Sequence, residues 1–237
     1  MAGHQPRSAV RTAVVWDALR QALPAPPAHV VDIGGGTGGF AVGIAELGHR
    51  LTVIDPNPDA LAILARRAEE AGVTHLVTAR QGDVAGLGEH VPPGSADFVV
   101  CHGVLEVVDD PAEAMAVIAA ALRPTGTLSL MVDQRSAAVI ARAMTGHFGQ
   151  AERLLDRPET EGRRRFDLRQ VEDLVAAAGL QATTRHGVRV FADLVPAGLV
   201  DAEPGAAAAL ANLERAVADR PEFLVLATQL HVLAHKA

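Results

Sequence analysis

Tyrosine is absent from the 237 residues, tryptophan occurs once and phenylalanine six times, so aromatic side chains make up 3% of the chain. A surface that grips nucleic acid by stacking bases on aromatics is hard to build from so few, and a net charge of -7 argues against a broad basic face. The lack of tyrosine also removes the Tyr-x-x-x-Lys pair that serves one class of nicotinamide oxidoreductases. Cysteine occurs once, at Cys101, which excludes an intramolecular disulfide and suits a reducing compartment. No run reaches the roughly 18 apolar residues of a membrane span, and the opening MAGHQPRSAVRT lacks the apolar core of a secretion signal. The expectation is a soluble cytoplasmic protein with no membrane partner; the sequence leaves its oligomeric state open.

What is present is enough apolar residue, 49%, to bury one large core, which predicts a single domain over residues 1–237. Residues 8–23 space Val10, Val14, Ala18 and Leu19 as a helix that stops before Pro24, and residues 1–27 read as a lid-side helical segment. Beyond it, apolar strands alternate with helices. RLTVID is a strand, Asn57 or Asp59 caps the helix ALAILARRAEEAG, HLVTAR and SADFVVC are strands, and DPAEAMAVIAAALRP is an N-capped helix before the strand TLSLMV. This alternation predicts an α/β fold with a parallel sheet and helices on both faces. Residues 133–165 break the pattern as a polar, arginine-rich insertion around one short helix, AAVIARAM. The remainder reads as the helix DLRQVEDLVAAAGL, the strand QATTRHGVRVF, a helix near 203–218 and a terminal strand FLVLATQLHVLAHK.

Chemistry concentrates at residues 28–38, AHVVDIGGGTG. A buried strand ends in Asp32 and breaks into Gly34, Gly35, Gly36 and Gly38, letting backbone approach a ligand where side chains would collide. The next strand closes on Asp55, about 20 residues beyond the glycines, where a carboxylate can accept both hydroxyls of a ribose. In an open α/β sheet the ligand lies outside the carboxyl ends of the strands. That selects Gln81, Gly82, Asp83 and Val84 after the third strand, and Cys101 to Glu106 after the fourth.

The pattern D-x-G-x-G-x-G, with the acid before the first glycine, resembles the first motif of class I methyltransferases that use S-adenosylmethionine and release S-adenosylhomocysteine. The resemblance implies a Rossmann-like, seven-stranded, mostly parallel sheet completed by a C-terminal antiparallel hairpin. It also implies that Asp55 binds the ribose, that Asp83 lies near the adenine amino group and that the Val84 amide faces the ring. The segments FVVCHGVLEVVDDP, LRPTGTLSLMV, GVRVFADLVP and LHVLAHK are further similar to bacterial tRNA methyltransferases that esterify the carboxylate of 5-carboxymethoxyuridine. Carried over position by position, that likeness makes Arg11, Gly34, Gly35, Asp55, Gln81, Gly82 and His102 cofactor contacts, with Arg11 on the cofactor carboxylate. The chain departs from the family at Val107 and at Val132, Asp133 and Gln134, all of which approach the substrate there.

These readings imply O-methylation of an acidic acceptor, either tRNA or a small molecule, by a nucleophile that is ionised at pH 7 and needs no general base. Candidate substrate contacts are Gln134, Arg135, Arg163, Arg164 and Arg165, the arginines offering bidentate binding of an anion or of RNA phosphates together with Arg153 and Arg157. His102, at a strand end over the cofactor, is the one candidate general base. Glu106 is a candidate cap for the segment that follows it. Cys101 reads as a small core residue. His231 and His235 fall on a strand about 13 Å apart, too far to share a metal ion. An NAD-dependent oxidoreductase and a non-catalytic cofactor-binding protein stay open as alternatives.

Overall fold

A computed structural model describes residues 7–156, 159–160 and 162–236, so Arg157 and the opening residues 1–6 lie outside the described residues. The chain starts with α1 (Arg7–Ala22), then β1 (His29–Ile33), α2 (Ala41–Glu46), β2 (Arg50–Asp55), α3 (Pro58–Glu70) and β3 (Val77–Gln81). After β4 (Ala96–His102) come α4 (Pro111–Ala121), β5 (Leu122–Asp133), α5 (Arg135–Met144) and α6 (Phe148–Asp156). A two-residue pair, β6 (Glu159–Thr160) and β7 (Arg163–Arg164), precedes α7 (Leu168–Ala177) and β8 (Leu180–Val188). The last elements are α8 (Ala197–Ala202), α9 (Ala206–Val217), α10 (Pro221–Leu224) and β9 (Gln229–Lys236).

Seven strands form one sheet in the order β3-β2-β1-β4-β5-β9-β8, Rossmann-like and mostly parallel, with the antiparallel C-terminal hairpin at one edge. The first three strands step outward from β1 and the fourth returns to its other side, so the order reverses between β1 and β4. Val30, Val31, Ile33, Val99 and Val100 are at most 1% exposed, as strands covered by helices on both faces require. Register then aligns the strand ends. Ile33 pairs with Ile54 and Cys101, Asp55 with Gln81, and His102 with Met131, so the residues that follow Ile33 share one edge with Asp55, Gln81 and His102.

Local signals account for the helix starts. Asn57 accepts hydrogen bonds from the Asp59 and Ala60 amides with Pro58 in the first turn, and Asp110 caps α4 by accepting from Ala112 and Glu113. That cap belongs to Asp110; Glu106 is buried at 2% exposure. Three expectations need correction. The insertion holds a second helix, α6; a short helix, α8, precedes α9; and the start of FLVLATQLHVLAHK is helical, because Pro221 opens a turn and the strand begins only at Gln229.

The chain divides into two compact units. One, here the glycine-loop unit, comprises 23–131, 171–183 and 233–237; the second comprises the described residues up to Ala22 together with 132–170 and 184–232. In the second unit α1 and α9 share a small apolar cluster of Val10, Ala13 and Ala211, bordered by Ala192 and Leu210.

Candidate functional site

In the glycine-loop unit the turn after β1 is built to exclude side chains. Gly34 has φ +67°, donates its amide to the Ile54 carbonyl at 2.7 Å, and would place a Cβ 2.5 Å from Val104 Cγ2. A Cβ on Gly35 would lie 2.7 Å from an Asp32 carboxylate oxygen. The loop is tied to the end of β2 by Asp55, whose carboxylate accepts from the Gly36 amide at 2.9 Å on one oxygen and from the Asn57 amide at 2.9 Å on the other. Behind it Asp32 is 4% exposed; burial, and secondarily the Asp55 charge, raise its pKa to about 7.

This loop forms one wall of a cavity of about 570 Å³, well within the ~300–1,000 Å³ of small-molecule sites. Gly34, Asp55, Gly82, Asp83 and Val84 line it, as the strand-end reading expects, together with Gly103 and Val104. Asp83 also accepts from the Gly86 amide at 3.0 Å, and Gly82 donates to the Asp55 carbonyl at 3.2 Å. Gln81 turns the other way, donating to the Pro56 carbonyl at 3.2 Å and lining a neighbouring surface recess with His90. The far wall carries Val107, a position that the family likeness places toward the substrate, and Asp109, Asp110 and Glu113, which sequence reading missed as site residues. The signal was the run EVVDDP directly after the fourth strand end. Five carboxylates in all line the cavity, and no basic side chain among the described residues does, which disfavours a pyrophosphate.

His102 ends β4 with Nε2 2.8 Å from the Ser129 hydroxyl and its ring edge-on to Phe40 at 5.0 Å, and it is not among the residues that line the cavity. Burial lowers its pKa to about 3, so it is neutral at pH 7. Its neighbour Cys101 is fully buried, and burial pushes that thiol well above its usual range, as befits a core residue.

The remaining candidates belong to the second unit. Arg11 donates to Asp193 through Nε at 3.1 Å. Gln134 is 4% exposed, its amide nitrogen donating to the Leu224 carbonyl and its backbone amide to Thr228 at 2.9 Å. Arg135 pairs with Asp167, and Arg163 with Asp133 at 3.1 Å. Arg164 follows Arg163 on β7, and Arg165 lies just beyond it, half-buried. His231 stacks on His186 and His235 hydrogen-bonds Thr127, so the two do not converge.

A parallel sheet that reverses beside a glycine loop, with an acid closing the next strand and a cavity at their shared edge, defines the class I methyltransferase fold. The methyltransferase domain family matches residues 7–185, and the chain belongs to it. It is an S-adenosylmethionine-dependent enzyme, which removes the dinucleotide alternative. The chain is 27% identical to the tRNA 5-carboxymethoxyuridine methyltransferase of Escherichia coli, over 96% of its own length and 88% of that protein's. It is 36% identical to a ubiquinone biosynthesis O-methyltransferase of Xanthomonas campestris, over 54% of this chain and 52% of that one. Its fold superposes on a Mesorhizobium loti S-adenosylmethionine-dependent methyltransferase with a TM-score of 0.63 at 21% identity, covering 95% of this chain and 99% of the other.

Proposed function

We propose that the enzyme methylates an oxygen of an acidic acceptor, the carboxylate of a modified wobble uridine in tRNA. The supporting observation is the reach of the likeness to the E. coli tRNA enzyme, 96% of this chain, where the ubiquinone relative stops at about half. A tRNA acceptor puts the reaction in the cytoplasm.

The cavity fits S-adenosylmethionine by its own features, a bare glycine turn with no room for a Cβ at Gly34 or Gly35 and the Asp55 carboxylate at its rim. Gly34, Gly35 and Gly36 admit the cofactor's methionine end close to backbone, while Asp55 accepts from the ribose hydroxyls. Asp83 and the Val84 amide hold the adenine edge, and Gln81 and Gly82 shape the turn that carries them. Asp32 supports the loop at Gly35, and His102 is held by Ser129 and Phe40. When bound, the sulfonium supplies an electrophilic methyl group. The chain's own task is to hold an already ionised carboxylate in line with it, and such positioning is worth roughly 7–11 kcal/mol. A neutral His102 takes no proton in this reaction. Val104 packs beside the glycine loop, and Val107 adds apolar surface to a far wall that is otherwise acidic.

One observation favours a second reading, a small acidic metabolite as acceptor. Arg135 and Arg163 are already paired with aspartates, which weakens the basic run as a phosphate-binding face on a chain of net charge -7. Incubating the enzyme and isotopically labelled cofactor with tRNA and with a metabolite pool, followed by mass spectrometry, separates the two. A base-labile methyl ester on a tRNA nucleoside supports the proposal. Label found only in small carboxylic acids supports the second reading, and label in neither overturns the acidic acceptor.

A further inference from the structure

S-adenosylmethionine ends in a carboxylate, yet no basic side chain among the described residues lines the glycine-loop cavity. A cation for that group has to come from elsewhere in the chain, and the family likeness makes Arg11 the contact. Arg11 is a half-exposed side chain on α1 with many rotamers to lose, so its value to a ligand depends on what orders it. Order comes from the loop Arg189–Asp193, in the same unit as α1. Arg189 has φ +61°, the sole non-glycine among the described residues in the left-handed region, a conformation that persists only where surrounding contacts impose it. Glu214 of α9, 1% exposed, supplies those contacts by accepting from three successive backbone amides, Val190 at 2.9 Å, Phe191 at 2.8 Å and Ala192 at 2.7 Å. The Thr228 hydroxyl adds a bond to the Arg189 carbonyl at 3.1 Å. The clamped turn presents Asp193.

Asp193 in turn holds two guanidinium groups. One of its oxygens accepts from Nε and Nη2 of Arg11, and the other from Arg189, whose Nη1 reaches the Gln229 side chain at 3.4 Å. Burial pushes the Asp193 carboxyl up, but the hydrogen bonds and charges of the two arginines outweigh it and hold the group below the usual carboxylate range. Asp193 is therefore ionised at pH 7, and two guanidinium groups around one carboxylate leave a net positive charge. Both bonds from Arg11 use the side of its fork that carries Nε. The end-on edge, Nη1 with the second hydrogen of Nη2, is engaged by none of the described residues and suits a second carboxylate.

We propose that Asp193 is a positioning residue for the cofactor: held on the turn that Glu214 clamps, it fixes the Arg11 fork so that the end-on edge receives the carboxylate of S-adenosylmethionine. Ordering the arginine before the ligand arrives lowers the cost of binding. The inference rests on the reading of Arg11 as a cofactor contact and is independent of the methyl acceptor.

The test is calorimetric titration of the full chain with S-adenosylhomocysteine and with methylthioadenosine, which keeps the adenine, ribose and sulfur but lacks the amino-acid carboxylate. Arg11→Gln is expected to weaken S-adenosylhomocysteine roughly tenfold or more, as a bond between charged groups is lost, and Asp193→Asn roughly three- to tenfold. Methylthioadenosine is expected to bind both variants as it binds the wild type, a split that a merely structural role would not produce. Asp193→Glu keeps the charge on a longer arm and is expected to fall between wild type and Asp193→Asn; if the asparagine variant does not fold, the glutamate variant carries the comparison. Selective loss of S-adenosylhomocysteine in the Asp193 variants supports the proposal. Equal affinity for S-adenosylhomocysteine in wild type and Arg11→Gln removes Arg11 from the cofactor, and the inference with it. A weakened Arg11→Gln beside Asp193 variants of wild-type affinity, or an equal loss of both ligands, overturns the positioning role alone.

Discussion

Replacing Asp32 by asparagine isolates the energetic cost of a carboxyl buried beneath the glycine loop. Asp32 is 4% exposed and its pKa rises from 3.8 to about 7, first through burial and then through the Asp55 charge. Its folded pKa lies above its unfolded one, so between about pH 4 and 7 the native state binds the extra proton, and stability falls as pH rises across that window. Above pH 7 the loss is complete and the curve flattens. At 1.36 kcal/mol per pKa unit the penalty amounts to about 4 kcal/mol in order of magnitude. Asparagine has nearly the same shape and carries no charge, so Asp32→Asn is expected to match the wild type near pH 4 and to exceed it by up to about 4 kcal/mol at pH 8. For a chain of this size that is a rise of roughly 8–16 °C in Tm. Urea and thermal unfolding at pH 4.5, 6 and 8 measure it. Parallel stability curves for the two proteins, or a variant less stable than wild type at pH 8, would refute the assignment of a buried, charge-strained carboxyl beneath the loop.

Three further outcomes follow from the same geometry. Gly34→Ala adds a Cβ 2.5 Å from Val104 Cγ2 at a left-handed φ, so it is expected to lower stability by about 1–3 kcal/mol and weaken S-adenosylhomocysteine at least tenfold by calorimetry. Since burial holds His102 near a pKa of about 3, kcat is expected to stay flat from pH 6 to 8 in both wild type and His102→Asn; an ionisation near 6.5 that vanishes in the variant would make it a base. If tRNA is bound through the insertion, changing Arg163, Arg164 and Arg165 together to glutamine reduces the slope of log K against log salt by up to about 3 in fluorescence titration. An unchanged slope would place the phosphate contacts elsewhere.

Much of the cavity's strand-end edge was legible because its signals are local. The strand RLTVID is Arg50–Asp55 residue for residue, Asn57 caps the helix it precedes, and the glycines, Asp55 and Asp83 meet at one edge because parallel register aligns strand ends. What stayed hidden depends on partners distant in sequence. Nothing near Arg163 announces Asp133 thirty positions earlier, and nothing near Gln134 announces the Leu224 carbonyl. The helix FGQAERLLD offers too few turns to show a period, and FLVLATQL is a short apolar run that suits strand or helix until Pro221 decides it. Asp110 and Glu113 belong to the segment expected to start α4, and only the folded cavity shows that they, with Asp109, also line its far wall.

The central claim is that Asp55 and the glycine loop bind S-adenosylmethionine. Calorimetric titration of wild type and Asp55→Ala with S-adenosylhomocysteine, alongside NAD, tests it most directly. The expected result is saturable binding of S-adenosylhomocysteine, a loss of roughly 1.5–3 kcal/mol in the variant as charged hydrogen bonds to ribose disappear, and no binding of NAD. Equal affinity in the two proteins, or NAD binding as tight as S-adenosylhomocysteine, would contradict it.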